Sequence, residues 1–212
     1  MSEFQYYEFV AIDRPLNTDE CRRLRAITSR ATITSTRLVN TYEWGDFKGD
    51  PHELVAKYFD AFLYYASWGA RRLILRVPSA RLDLRVAKQY CCHRSDGKRS
   101  NRSVATVART GENLVFDLCS AEEAADDWAD TTCGVLSALV PIRNELMSGD
   151  YRALYLAWQL RARAGEVDHT ARPRSAPVRM NPPTGSQQAL AEFLRIDQIE
   201  VSDSGAEASR GA

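Results

Sequence analysis

The chain has 212 residues, 28 basic and 28 acidic, a formal net charge of zero and a hydrophobic share of 44%, which is what an ordinary globular core needs. No stretch approaches the roughly 18 uninterrupted apolar residues of a membrane span, and Met1-Ser2-Glu3-Phe4 lacks the basic-then-apolar order of a secretory signal, so a cytoplasmic protein with no membrane partner is expected. The five cysteines are odd in number and only Cys91 and Cys92 stand close together, which argues against a disulfide framework or a zinc knuckle and for reduced thiols.

Phe4 to Ile12 is rich in aromatic and β-branched residues and predicts a strand that ends at Asp13-Arg14-Pro15. Asn17 and Glu20 form a capping-box pattern ahead of a helix whose inner face carries Cys21, Leu24 and Ile27. Thr32 to Trp44 reads as one strand, completing a βαβ beginning. Asp50 as N-cap, Pro51 at the first helical position and Glu53 then start a helix. Leu54, Val55, Tyr58, Phe59, Phe62 and Ala66 fall on one stripe, so that helix is expected to lie on a sheet and run to about Gly69.

Arg71 to Val77 alternates in the manner of a strand, and Ser103–Arg109 with Leu114–Cys119 reads as a hairpin turning at Gly111. Helices are expected from about residue 132. Leu136, Leu139, Val140 and Leu146 form one stripe, Pro141 kinks or breaks that helix, and Asp150 caps a second with Leu154, Tyr155 and Trp158. The domain organisation that follows is a main domain over residues 1–164, a Pro/Arg-rich linker over 165–185, a short docking helix over 186–197 capped by Ser186, and a disordered tail over 202–212. The expected fold class is α+β: a mixed sheet of about five strands, one face covered by the first two helices, with the helical C-terminal part at its end. The βα alternation near the start keeps α/β as the competing class.

The zero net charge conceals a segregation. Arg71, Arg72, Arg76, Lys98, Arg99 and Arg102 belong to a basic stretch that ends near Arg109, and residues 112–130 are acidic without a basic residue. Such a stretch could meet phosphates, which makes a nucleic-acid partner one alternative; mutual neutralisation of the two segments is the plainer reading. The segment from Trp44 to His52 holds two glycines, carboxylates, a lysine and a histidine between two elements, and Trp44, Asp46, Phe47 and Lys48 are its candidate binding residues. A structured turn with Trp44 and Phe47 packed beneath it explains the same segment. Asp46, Asp50 and His52 have no metal-motif spacing, so no metal or cofactor is assigned. Cys91-Cys92-His93 suggests a thiol enzyme, but neighbours in a strand point to opposite faces, and no catalytic residue is assigned.

Tyr6-Tyr7-Glu8-Phe9 with Ala11-Ile12-Asp13-Arg14-Pro15-Leu16, then Trp44 to Pro51, then Tyr58 to Tyr64, resemble a family of uncharacterised bacterial proteins, and Gly149 to Trp158 extends the resemblance. It implies a bacterial origin and no particular activity. The function expected from the residues is that of a non-enzymatic binding or accessory protein with a protein partner. A nucleic-acid-associated protein, or an enzyme with a metal or thiol site, are the alternatives.

Overall fold

A computed structural model of the chain describes residues 4–94, 103–121, 134–168 and 182–196. Strand β1 (Gln5–Val10) is followed by α1 (Thr18–Ile27), β2 (Thr32–Ile33), β3 (Arg37–Tyr42), α2 (Pro51–Lys57), β4 (Ala61–Ala66) and β5 (Ala70–Pro78). Then come α3 (Leu84–Ala87), β6 (Cys92–Arg94), β7 (Ala105–Thr110) and β8 (Asn113–Ala121), and finally α4 (Val135–Leu139), α5 (Pro141–Met147), α6 (Arg152–Arg163) and α7 (Gly185–Leu194).

The strands form one sheet of eight, in the order β2-β3-β1-β4-β5-β8-β7-β6, rather than the five expected. Every pairing is antiparallel except β6 with β7, so the class is α+β and the opening segment is not a parallel βαβ unit. The expected strand over Thr32 to Trp44 is two strands, β2 and β3, folded back on each other.

The largest correction concerns α2. Its start is as read from the sequence, with Pro51 in its first turn and the Asp50 carboxylate accepting from the His52 amide. It stops after Lys57, and Ala61–Ala66, expected to continue it, is the central strand β4. Phe62, Leu63 and Tyr65 are buried, with both sheet neighbours in place and cores on both faces. A strand buried on both sides is apolar nearly throughout, and such a run also fills a helical stripe, so periodicity cannot separate the two. Tertiary bonding settles it at Asp60. Its carboxylate accepts from the Ile12 and Asp13 amides at 2.6 and 3.0 Å and from Arg76 Nη2 at 2.6 Å, which holds the chain to the end of β1 and to β5.

The helices cover both faces, not one. Tyr7, Phe9, Leu38, Phe62 and Ile74 face a core closed by Leu24 of α1 and by Leu54, Val55 and Phe59 in and just after α2. Tyr6, Leu63, Tyr65, Leu73 and Leu75 face the opposite core with α4 to α7, so the C-terminal helices lie on the sheet rather than at its end. The apolar residues of α7, Leu190, Phe193 and Leu194, are fully buried there. Its cap is Thr184, in a capping box with Gln187, and not Ser186, whose hydroxyl instead donates to Glu145 at 2.5 Å. Pro141 opens α5 at a break between two helices. Asp150 is not the N-cap of α6, which is Tyr151, although its Oδ1 accepts from the Arg152 amide. The capping box of Asn17 with Glu20 and the turn at Gly111, with φ of +59°, stand as the sequence predicts. Most of the expected linker and the whole tail lie outside the described residues.

Candidate functional site

Strand alternation places Gln5, Tyr7 and Phe9 on one face of β1. Register then sets Tyr7 beside Tyr64 of β4, and Tyr64 beside Arg72 of β5. Over this row lies the connection from β3 to α2, and between loop and sheet is a cleft of about 560 Å³. Its lining is Asp46, Phe47, Lys48, Gly49, Asp50 and Pro51 from the loop and first turn of α2, with Tyr7, Phe62, Tyr64 and Arg72 from the sheet.

The loop is fastened at two points. Phe47 lays its ring against Tyr7 and Phe9, with centroids 5.3 and 5.7 Å apart. Gln5, buried at the end of β1, donates from Nε2 to the Gly45 carbonyl at 3.0 Å and to Asp46 Oδ1 at 3.3 Å. Both of those groups can only accept, which fixes the amide so that Oε1 turns toward the phenols. Tyr7 donates to Oε1 at 2.6 Å and Tyr64 at 3.2 Å. Burial, aided by the nearby charge of Asp46, pushes both phenols above their ordinary pKa. Gly45, at φ of +82°, makes the bend after Trp44.

Trp44 is not packed beneath the loop: it is 77% exposed, and only Phe47 of the two aromatics serves as the plug. Trp68, in the β4–β5 turn, is also exposed and borders a smaller hollow of about 310 Å³ with Gln5, Gly45 and Asp46.

Behind the cleft Arg72 meets Asp117 of β8, and the same carboxylate lies 2.6 Å from His52 Nε2, which is also 3.0 Å from Arg94 Nη1. Burial alone would raise the Asp117 pKa; hydrogen bonds from Arg72 and His52 outweigh it and hold the carboxyl well below the usual range. Arg72 is thus one point where the basic and acidic segments neutralise each other.

The other basic candidates divide by position. Arg71 is buried beneath α7, donating from Nη1 to the Glu192 and Phe193 carbonyls at 3.1 and 2.9 Å. Arg76 pairs with Asp60 at 2.6 Å. The guanidinium groups of Arg71, Arg72 and Arg76 therefore bond within the fold. Lys98, Arg99 and Arg102, and the acidic residues 122–130, lie outside the described residues.

Among the described residues no cluster of three His, Cys, Asp or Glu side chains has metal-holding geometry, so Asp46, Asp50 and His52 do not assemble into such a group. Cys91 is buried, and burial pushes its thiol up to about 12; Cys119 is pushed up to about 12 in the same way, with the Asp117 charge adding to burial. Neither thiol forms a ready thiolate near neutral pH.

Of the candidate binding residues legible in the sequence, Asp46, Phe47, Lys48 and Arg72 come together in this one cleft. Gln5, Tyr7 and Tyr64 are not among those candidates. The period-two spacing of Gln5, Tyr7 and Phe9 was a signal for the first two; Tyr64 was hidden by its assignment to a helix. Comparisons of the chain with protein-family models, curated proteins and solved structures gave no match. No helix among the described residues is long and apolar enough to cross a membrane.

Proposed function

We propose that this chain is a binding protein, without catalytic activity of its own, that receives part of a protein partner in the cleft beneath the Trp44–Asp50 loop. The observation that carries this reading is the cleft itself: a preformed space of about 560 Å³ whose loop wall is held in place by Gln5 and Phe47. A wall fixed before binding reduces the ordering cost that association otherwise incurs. Exposed Trp44, two residues before the lining residue Asp46, supplies the large, stiff aromatic surface that protein interfaces favour. His52 keeps its Nε2 on Asp117 and is not part of the lining, which favours binding over proton transfer within the cleft.

The test is affinity capture from lysate of the cells that make the protein. Wild type is compared with Trp44→Ala, Phe47→Ala and a far-end control, Arg109→Ala. The expected result is a stoichiometric protein that survives nuclease, is retained by the control and is lost from the loop variants. Equal retention by all variants contradicts the reading, and recovery only of nucleic acid replaces it with the nucleic-acid alternative.

A further inference from the structure

The groups lining the cleft are strongly biased toward hydrogen-bond acceptors. Both phenolic hydrogens are drawn inward to Gln5 Oε1; Tyr7 is buried and its oxygen is engaged by the Phe47 amide, so the half-buried Tyr64 supplies the phenol oxygen that can accept from a ligand. Asp46 and Asp50 each use one oxygen within the protein, Oδ1 on Gln5 Nε2 and Oδ1 on the His52 amide, and both residues are otherwise exposed. Of the two cations in the lining, Arg72 is matched by the two-bond pairing with Asp117, which leaves Lys48 against two carboxylates. The field of Asp46 reaches both phenols and that of Asp50 reaches Arg72, in the sense expected of a negative cleft. The remaining lining is aromatic, from Phe47, Phe62 and the two tyrosine rings, and ring faces attract cations.

Resting on the reading of this cleft as the binding site, we propose that the group it receives is an organic cation, the alkylammonium or guanidinium that a lysine or arginine side chain of the partner presents. The carboxylates and the Tyr64 oxygen accept its N–H groups while the rings pack along its methylene stem. An anion would meet the two carboxylates of Asp46 and Asp50. A neutral apolar side chain would leave the acceptors without partners, at the cost that accompanies any buried unpaired polar group.

The probes are short capped peptides carrying one lysine, arginine, acetyl-lysine or glutamate among alanines, with butylammonium and inorganic phosphate alongside. Each is titrated into the full chain while backbone amide resonances of residues 44–50 and 62–72 are followed. The lysine and arginine peptides are expected to shift these resonances and to compete with one another, and acetyl-lysine, glutamate and phosphate are not. Binding by butylammonium alone would identify a free amine as the source; binding only in the peptide context identifies a partner's side chain.

Two variants move the affinity in opposite directions. Asp46→Asn is expected to weaken the cationic peptide about two- to five-fold, the scale of one partly exposed ion pair, and Lys48→Ala to strengthen it by a similar factor. If Asp46→Asn fails to fold, Lys48→Ala still decides the sign. Preference for glutamate or phosphate, equal binding of lysine and acetyl-lysine, weaker binding by Lys48→Ala, or no shift at about 10 mM probe overturns the proposal. If the captured protein is nonetheless lost from the loop variants, the cleft stands as the binding site and only its ligand class is wrong. If the captured protein is retained by them, the reading of the cleft fails as well.

Discussion

Arg72 and Asp117 are joined by two parallel hydrogen bonds, Nε to Oδ1 and Nη2 to Oδ2, each 2.8 Å long. They lie diagonally across β5 and β8, since Arg72 is registered with Cys119 and Asp117 with Ile74. This pair forms the back of the cleft and joins the start of the basic segment to the first part of the acidic one. Asp117→Asn leaves the Arg72 charge without its counter-ion. The expected loss is about 3 kcal/mol, the low end for a broken buried pair, because Arg72 keeps a fifth of its side chain exposed. The apolar double variant Arg72→Met with Asp117→Leu should lose less than Asp117→Asn alone. Urea unfolding of the three proteins measures both, and a double variant less stable than the single would contradict the assignment of the loss to an unpaired charge.

Acid should destabilise the protein through the same carboxylates. Asp117 and Asp60 both titrate below the ordinary aspartate value. At Asp60 burial opposes the shift, while the Asp13 and Ile12 amides and Arg76 outweigh it. A group depressed in the folded state contributes stability that is full above its unfolded pKa of about 3.9 and is lost as pH falls toward the folded value. The melting temperature is therefore expected to hold from neutral pH down to about pH 5 and to fall steeply below about pH 4. Asp117→Asn, already less stable, should show a shallower acid slope than wild type. Parallel slopes would assign the acid sensitivity to other groups.

The loop wall depends on a glycine that φ does not require. A Cβ at Gly49 would stand 2.7 Å from Phe47 Cε1 and 3.1 Å from Ile27 Cγ2, so any side chain there displaces the plug. Gly49→Ala is expected to cost about 1–3 kcal/mol, the range of an overpacked site. Its cost should shrink when combined with Phe47→Ala, which removes the clash. Additive losses in the double variant would show that Gly49 matters for another reason.

At the other core, Glu145 of α5 accepts from Thr184 and Ser186 hydroxyls at 2.8 and 2.5 Å and from Gln187 Nε2 at 2.8 Å. It gathers the first turn of α7, where Ser186 and Gln187 are buried. Thr184→Ala removes the cap and should cost about 1 kcal/mol. Glu145→Ala leaves buried donors unmatched and is expected to cost more, toward about 3 kcal/mol. Denaturant midpoints of the two variants give the comparison, and the reverse order would refute this ranking.

Local chemistry was what the sequence exposed most clearly. Asn17 with Glu20, Asp50 with Pro51 and the glycine turn at residue 111 each act through atoms a few residues apart, and the structure holds all three. Long-range matters were hidden. Residues 61–66 satisfy a helical stripe and a doubly buried strand equally well, and the outcome depends on bonds from Asp60 to residues about 47 positions earlier and 16 later. The site divides in the same way. Asp46, Phe47 and Lys48 stand out as one unusual loop; alternation puts Gln5 and Tyr7 on one face, but only strand pairing brings Tyr64 and Asp117 beside them.

The most direct measurement is photocrosslinking within the cells that make the protein. A benzophenone amino acid replaces Lys48 at the cleft in one variant and Glu112, at the exposed tip of the β7–β8 hairpin, in another. A cleft that receives a protein partner gives a covalent adduct of defined mass from position 48 and none from position 112. An adduct from position 112 alone, or equal yields from both positions, would contradict binding at the cleft.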